Sequence, residues 1–230
     1  MQISVIIPTL NEAENIAWLV PFLFENQSGS TLEVIVVDAQ SADDTVTIAS
    51  SLGAKVLQSS QRCRAAQMNL GAQAAKGDVL YFVHADTKPL ASYVSDIEAS
   101  LAQGYDAGCY RYQFDSDRLI LKINAFFTRF DRIYFRGGDQ TLYVKREVFE
   151  ALQGFDEYYT IMEDYDFLIR LRANYRFHIM QKSILVSARK YDTNSWLRVQ
   201  LANLKAFRMF FAKKHPDEIR ATYKQMLDYR

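Results

Sequence analysis

The sequence predicts an α/β fold with a mostly parallel central sheet flanked by helices. Two observations carry that expectation. Over the first ninety residues, short apolar, β-branched runs alternate with helix-period segments, and such alternation implies parallel strands joined by right-handed crossovers. Several of those runs are almost wholly apolar, as strands covered on both faces tend to be. At 49% hydrophobic and 23% charged, the 230 residues also hold enough apolar material for a real core.

Ile3–Ile7 reads as the first buried strand. Asn11, three residues before Glu14, resembles a capping box and opens a helix to about Glu25. Leu32–Val37 is the second strand, and Ser41 with Asp44 precedes a capped helix to Leu52. Lys55–Leu57 is a short third strand. Arg64–Ala75 is a helix with Gly77 as its stop, and Val79–Val83 is the fourth strand. Beyond Pro89 the rhythm changes. Helices are expected at Ser92–Gln103, Leu119–Phe135, Arg146–Leu152, Asp164–Ala173, Trp196–Lys214 and Asp217–Tyr229. Strands are expected at Gly108–Phe114, Thr141–Val144, Phe177–Met180 and Ile184–Ser187. No Gly-, Ser- or Pro-rich linker and no repeat interrupts the chain, so one domain is expected over residues 1–230.

Composition narrows the function. Lys plus Arg and Asp plus Glu are both 27, which argues against nucleic acid as a partner. Cys63 and Cys109 are too few for a disulfide scaffold and read as reduced thiols, hence a cytoplasmic location. The first apolar run has no basic leader and ends at Pro8. No segment is apolar enough to span a bilayer, so the chain is expected to be soluble, or peripheral at the inner face of the membrane. The turn after the first strand lacks the G-x-G-x-x-G fingerprint, and no P-loop or G-x-S-x-G elbow occurs. His84, His178 and His215 are far apart, which gives no support to a structural zinc.

In open parallel sheets, ligands bind beyond the carboxyl ends of the strands. Pro8-Thr9-Leu10-Asn11-Glu12, Asp38 and His84-Ala85-Asp86-Thr87 follow three of the strands and should share one edge. Asp38 and Asp86 each follow an apolar run and would lose solvent unless paired. On an extended chain His84 and Asp86 would project to the same side. A carboxylate there suits Mg²⁺ or Mn²⁺, with phosphate oxygens completing the shell. Glu163, Asp164 and Asp166 open an apolar helix. They fit either helix-dipole complementarity or a general base in a cleft. The aromatic-basic segments Leu119–Phe135 and Trp196–Lys214 are expected mainly to pack inward, with peripheral membrane contact as the alternative.

These residues resemble a known family. Val5-Ile6-Ile7-Pro8-Thr9-Leu10-Asn11-Glu12 is similar to the opening of the family 2 glycosyltransferases, which have the GT-A fold. Val36–Thr45 resembles their D-G-x-S-x-D-x-T segment, and Arg64–Ala72 with Gly77-Asp78 their third block. His84-Ala85-Asp86-Thr87, Gly138-Asp139-Gln140 and Glu163-Asp164 look most like a small soluble subgroup. The resemblance covers Ile3 to about Lys190. It implies a GT-A-like, Rossmann-like sheet with a nucleotide-binding half at 1–90, a donor and acceptor half at 91–190, and C-terminal helices at 191–230.

It also implies roles. Pro8, Thr9, Glu12 and Asp38 would line the nucleotide, usually uridine, and Arg64 would touch base or phosphate. Asp86 would bind Mn²⁺ or Mg²⁺, beside His84 and Ala85. Asp139 would lie near the transferred sugar or the acceptor. Arg189 would sit near the diphosphate, and Asp164 would be the general base. His84 replaces the leading acid of the family's D-x-D motif, and the Q-x-x-R-W motif of processive synthases is absent. The expected activity is inverting transfer of a sugar from a nucleotide-diphosphate donor to an unknown hydroxyl acceptor. The competing expectation is a non-catalytic nucleotide-sugar-binding protein.

Overall fold

A computed structural model of the chain describes residues 1–27, 29–137 and 140–228. Its strands are β1 (Gln2–Thr9), β2 (Thr31–Asp38), β3 (Lys55–Gln58), β4 (Val79–Phe82), β5 (Thr87–Lys88), β6 (Ala107–Phe114), β7 (Leu142–Lys145) and β8 (Phe177–Val186). Its helices are α1 (Ala13–Glu25), α2 (Thr45–Ser51), α3 (Arg64–Ala74), α4 (Tyr93–Ala102), α5 (Leu119–Phe126), α6 (Arg146–Ala151), α7 (Glu163–Asn174), α8 (Lys190–Thr193), α9 (Trp196–Phe211) and α10 (Pro216–Met226). The fold class is the expected α/β.

The strands form one sheet in the order β3-β2-β1-β4-β7-β6-β8-β5. The pairs β1–β2, β1–β4, β2–β3 and β6–β8 are parallel, and β4–β7, β6–β7 and β5–β8 are antiparallel. The sheet is therefore mixed, with its parallel part in the first half. It is also curled. Phe82 ends β4 and Thr87 opens β5, yet β7, β6 and β8 lie between those strands. Laid flat, that crossing would be about 19 Å at ~4.8 Å per strand. Five residues reach at most ~18 Å fully extended, and here they include a turn, so the sheet must bend back on itself.

Alternating strand residues feed two cores. Ile3, Val5 and Ile7 pack with α1, α2 and α4 through Leu19, Ala49 and Ile97. Ile6, Ile35 and Leu80 pack with α3, α6 and α7 through Met68, Phe149 and Phe167. α3 lies so close to β1 that a Cβ on Gly71 would stand 2.5 Å from Ile6 Cγ2. The C-terminal helices make a third cluster around Ala202, Ala206 and Ile219.

Several local expectations are corrected. The capping box at Asn11 does not form; Glu12 is the N-cap of α1, and Asn11 is left-handed at φ 55° with its Oδ1 accepting from Ala42 N–H. Ser41 does not open α2, which starts at Thr45, because its side chain is taken by Asp38. Gly77 is not a helix stop; it packs against β1, where a Cβ would stand 2.7 Å from Ser4 N. The expected helix Leu119–Phe135 ends at Phe126 and continues as short 3₁₀ turns at Phe127–Arg129 and Ile133–Phe135. Phe177–Met180 and Ile184–Ser187 are one strand, β8, in which Gln181 and Lys182 are extra residues of a bulge opposite Tyr110 and Arg111.

Candidate active site

The ends of β1 and β2 meet in register, Thr9 beside Asp38. Asp38 is buried. Its Oδ1 accepts from the hydroxyls of Thr9, at 3.2 Å, and Ser41, and its Oδ2 accepts from Ser41 N–H at 2.9 Å. Three of about four acceptor positions on the carboxylate are thus filled by protein. Pro8 tolerates its missing N–H because β4 has already ended on that side; the last bond there is Val83 N–H to Ile6 O, 3.0 Å.

The turns after these strands are tied together. Asn11 N–H donates to Ser41 Oγ at 2.8 Å and Glu12 N–H to Thr45 Oγ1 at 2.9 Å. Asp43 accepts from Ala13 N–H and Thr45 N–H, both at 3.1 Å, and from the Thr45 hydroxyl. Slight burial pushes the Asp43 carboxyl up, but those hydrogen bonds outweigh it and hold it below its ordinary value. The buried Gln67 amide donates to Thr9 O at 3.0 Å and to Val37 O at 2.7 Å.

The end of β4 does not continue as an extended chain. Thr87 N–H closes a turn onto His84 O at 3.0 Å, with Ala85 buried inside it. His84 and Asp86 are therefore not presented by strand alternation. His84 lines a small cavity of about 40 Å³ with Glu163, Asp164, Gln140 and Met68. Asp86 meets Arg189, whose Nη2 lies 3.1 Å from Asp86 Oδ2 and 3.1 Å from Glu12 Oε1. Burial pulls the Arg189 guanidinium down, but the Glu12 hydrogen bond and the charges of Asp86 and Glu12 outweigh that and raise it above its ordinary value. Arg64, exposed on the first turn of α3, is close enough to act on Arg189 in the opposite sense.

Asp164 sits in the first turn of α7, after Met162 at φ 70°. A Cβ on Gly137 would come within 4.0 Å of Asp164 Oδ2, so the chain before residue 138 passes close to this carboxylate. Asp166 is committed elsewhere, 2.7 Å from Arg170 Nη2. Arg170 in turn donates to Leu152 O and Gly154 O. Asp139 lies outside the described residues. The larger cleft, about 670 Å³, lies over Asn69, Arg146, Phe149 and Glu157 and includes none of the strand-end residues above.

The structure thus brings Pro8, Thr9, Glu12, Asp38, Asp86 and Arg189 to one edge, with Arg64 within electrostatic reach. His84 and Asp164 share the adjoining cavity. Sequence reading missed Gln67, Ser41 and Gln140. Gln140 is buried, its Nε2 donates to Tyr110 O at 3.2 Å, and its Oε1 has no partner among the described residues. All three lie in segments that carry the family resemblance, but a buried amide has no sequence periodicity of its own and Ser41 has the chemistry of a helix cap.

A family model described as glycosyl transferase family 2 matches residues 4–158. The chain belongs to glycosyl transferase family 2. Asp164 and Arg189 lie beyond the matched span. Solved structures of similar shape include S. aureus TarS 1–349, with a TM-score of 0.67 and 18% identity over 98% of this chain and 70% of that one. A Pyrobaculum calidifontis mannosyltransferase, solved with GDP-Man and Mn²⁺, gives 0.68 and 19% over 97% and 69%. The Mycobacterium tuberculosis glucosyl-3-phosphoglycerate synthase, solved with Mn²⁺, UDP and its product, gives 0.63 and 17% over 100% and 81%. At these identities they establish that this family 2 chain has the GT-A glycosyltransferase fold. No curated protein matches the chain significantly.

Proposed function

We propose that this protein transfers a sugar from a nucleotide-diphosphate donor, UDP-linked, to a hydroxyl acceptor with inversion. The observation that carries the proposal is the convergence of Thr9, Asp38, Glu12, Asp86 and Arg189 beside a cavity lined by Asp164. The solved relatives support the donor class: TarS has been crystallised with UDP-GlcNAc and the mycobacterial synthase with UDP.

In this reading the nucleoside lies over Thr9 and Asp38, with Pro8 and Glu12 flanking it. The remaining acceptor position of Asp38 takes one donor from uracil or ribose. Arg189 and Arg64 hold positive charge for the diphosphate, and Arg189 exchanges its carboxylate partners for phosphate oxygens. Asp164 takes the acceptor proton as the hydroxyl oxygen bonds to the anomeric carbon. With Asp164 as the single base and the diphosphate oxygen as the group released from the anomeric carbon, the transfer is one direct displacement, hence inversion. Ala85 keeps the His84–Thr87 turn compact, and Asp139 is assigned near the sugar by resemblance alone.

The side chains accommodate Mn²⁺ or Mg²⁺ in one way. No group of three His, Cys, Asp or Glu among the described residues forms a ligand set. Asp86, partly exposed at the strand edge, would be the protein ligand, with phosphate oxygens and water for the rest. When bound, the metal neutralises charge on the leaving diphosphate.

A second reading, a nucleotide-sugar-binding protein without turnover, rests on His84 in place of an acid. Donor turnover in Mn²⁺, Mg²⁺ or EDTA decides between them, after a thermal-shift screen of nucleotide sugars. Donor-dependent stabilisation with turnover supports transfer; stabilisation without turnover under any condition supports the binding protein. The free thiols of Cys63 and Cys109 suit a cytoplasmic location.

A further inference from the structure

Helix α9 is apolar on two opposite sides. Val199, Ala202, Ala206 and Met209 are buried in the C-terminal core. At about 100° per residue, Leu197, Leu201, Leu204 and Phe211 fall on the opposite side, and all four are exposed. A solvent-facing side is ordinarily polar. The surface continues across the end of α5. Tyr134 packs on Phe207 and Phe211, with ring centroids 5.3 and 5.9 Å away. Phe126, Phe127 and Phe130 pack on one another and still remain exposed, with Leu119 and Ile123 along α5. The inward packing expected for these aromatics is thus corrected for Phe126, Phe127, Phe130, Tyr134 and Phe211, which are exposed, while Phe207, Phe210 and Trp196 do pack on the C-terminal core. A contiguous exposed patch of this kind marks an interaction site.

Charge indicates what covers it. The chain as a whole is balanced, yet between Asp192 and Asp217 there is no acidic residue, while Arg198, Lys205, Arg208, Lys213 and Lys214 fall there. Arg198 is tied to Asp228. Lys205 and Arg208 are exposed beside the leucine stripe and Lys213 just past the end of α9, where Lys214 is near Glu218; Arg129 and Arg132 are exposed beside the phenylalanines, and Asp131 between them is neutralised by Arg172. The Arg129 guanidinium lies 3.5 Å over the Phe126 ring. A basic rim around exposed leucine and aromatic side chains is the composition of surfaces that lie in the interface of an anionic bilayer.

We propose that the α5–α9 face docks on an anionic lipid surface. It does so without insertion across it, since no helix among the described residues is long and apolar enough to cross a membrane. The patch is continuous with the candidate site. Tyr165, next to Asp164, packs on Phe207 with centroids 4.6 Å apart. Docking would therefore bring the Asp164 cavity close to the lipid headgroups.

Co-sedimentation of the full chain with vesicles tests this, using phosphatidylcholine alone against phosphatidylcholine with phosphatidylglycerol. Binding to the mixed vesicles only is expected, falling steeply with added salt. The double variants Leu201→Gln/Leu204→Gln and Lys205→Glu/Arg208→Glu should each lower binding about tenfold or more. All four positions are exposed, so the melting temperature should hold; if a pair fails to fold, Arg208→Glu alone is read instead. Equal binding to both vesicle types, or anionic binding indifferent to the variants, overturns the proposal. So does a chromatographic dimer that Leu201→Gln/Leu204→Gln dissolves without any vesicle binding.

Discussion

The two sides of the candidate site are built differently. At the ends of β1 and β2, side chains and backbone form a closed hydrogen-bond web: Thr9, Ser41, Asp43, Thr45 and Gln67 each hold a neighbouring strand or turn. Around Asp164 the supports are rings and bulk. Phe155 packs tilted on Phe167 with centroids 4.7 Å apart, Tyr165 meets Phe207 edge-on while its N–H donates to Asp164 Oδ1 at 2.9 Å, and the buried Gln140 Oε1 has no partner among the described residues. A hydrogen-bonded web fixes donor geometry before any ligand arrives. Ring packing is less directional, which suits the variable acceptor proposed for this side. The nucleotide side should therefore respond to substitution through binding and stability together, and the Asp164 side through rate.

The largest expected effect is at Asp164. Asp164→Asn nearly preserves shape and removes the proposed base, so transfer should fall by about 10²–10⁴ with donor affinity unchanged. A near-wild-type rate in Asp164→Asn, alongside a collapsed rate in Glu163→Gln, would move the base to the neighbouring acid. Next is the web itself. Asp38→Ala releases the Thr9 and Ser41 hydroxyls and Ser41 N–H, and should weaken UDP binding by about 1–3 kcal/mol while lowering the melting temperature. Gln67→Met removes one of two donors from each of Thr9 O, which keeps Ala39 N–H, and Val37 O, which keeps the Thr9 hydroxyl, and should destabilise the fold by about 1 kcal/mol; an unchanged denaturation midpoint would remove Gln67 from the web.

Smaller effects sharpen the contrast. Asp166→Asn breaks a partly exposed ion pair and should cost at most about 1 kcal/mol, with the transfer rate retained. Smallest is a pH effect remote from the site. Burial pushes the His178 imidazole, which meets Ser100 Oγ at 2.6 Å, below its ordinary value of 6.5. The unfolded chain then binds that proton more readily than the fold does. This contribution is present in full above pH 6.5 and is lost as pH falls below it. Melting curves on either side of that pH should show a smaller acid loss in His178→Gln than in the wild type.

The first half of the fold is legible because its strands are predominantly apolar and its helices periodic. Thr9, Asp38 and Asp86 could then be placed by the rule that parallel strands present ligands at their carboxyl ends. Legibility failed where tertiary contacts override local pattern. Asn11 and Ser41 have the chemistry of helix caps but are drawn into the turn-to-turn web. Phe127 to Phe135 reads as a helix continuation, yet the helix ends at Phe126 and the Thr128 and Phe130 carbonyls beyond it accept from the buried Arg136 guanidinium. The bulge at Gln181 and Lys182 looks like a gap between two strands, and the curl that brings β5 to β8 has no local signature at all. His84 and Asp86 were expected on a common side because the turn from His84 to Thr87 could not be foreseen.

The separation of donor binding from chemistry is tested most directly by titrating UDP calorimetrically into wild type, Asp38→Ala and Asp164→Asn, each with Mn²⁺. A loss of about tenfold or more in Asp38→Ala, with wild-type affinity in Asp164→Asn, is the expected result. Wild-type affinity in Asp38→Ala, or a comparable loss in Asp164→Asn, would contradict it.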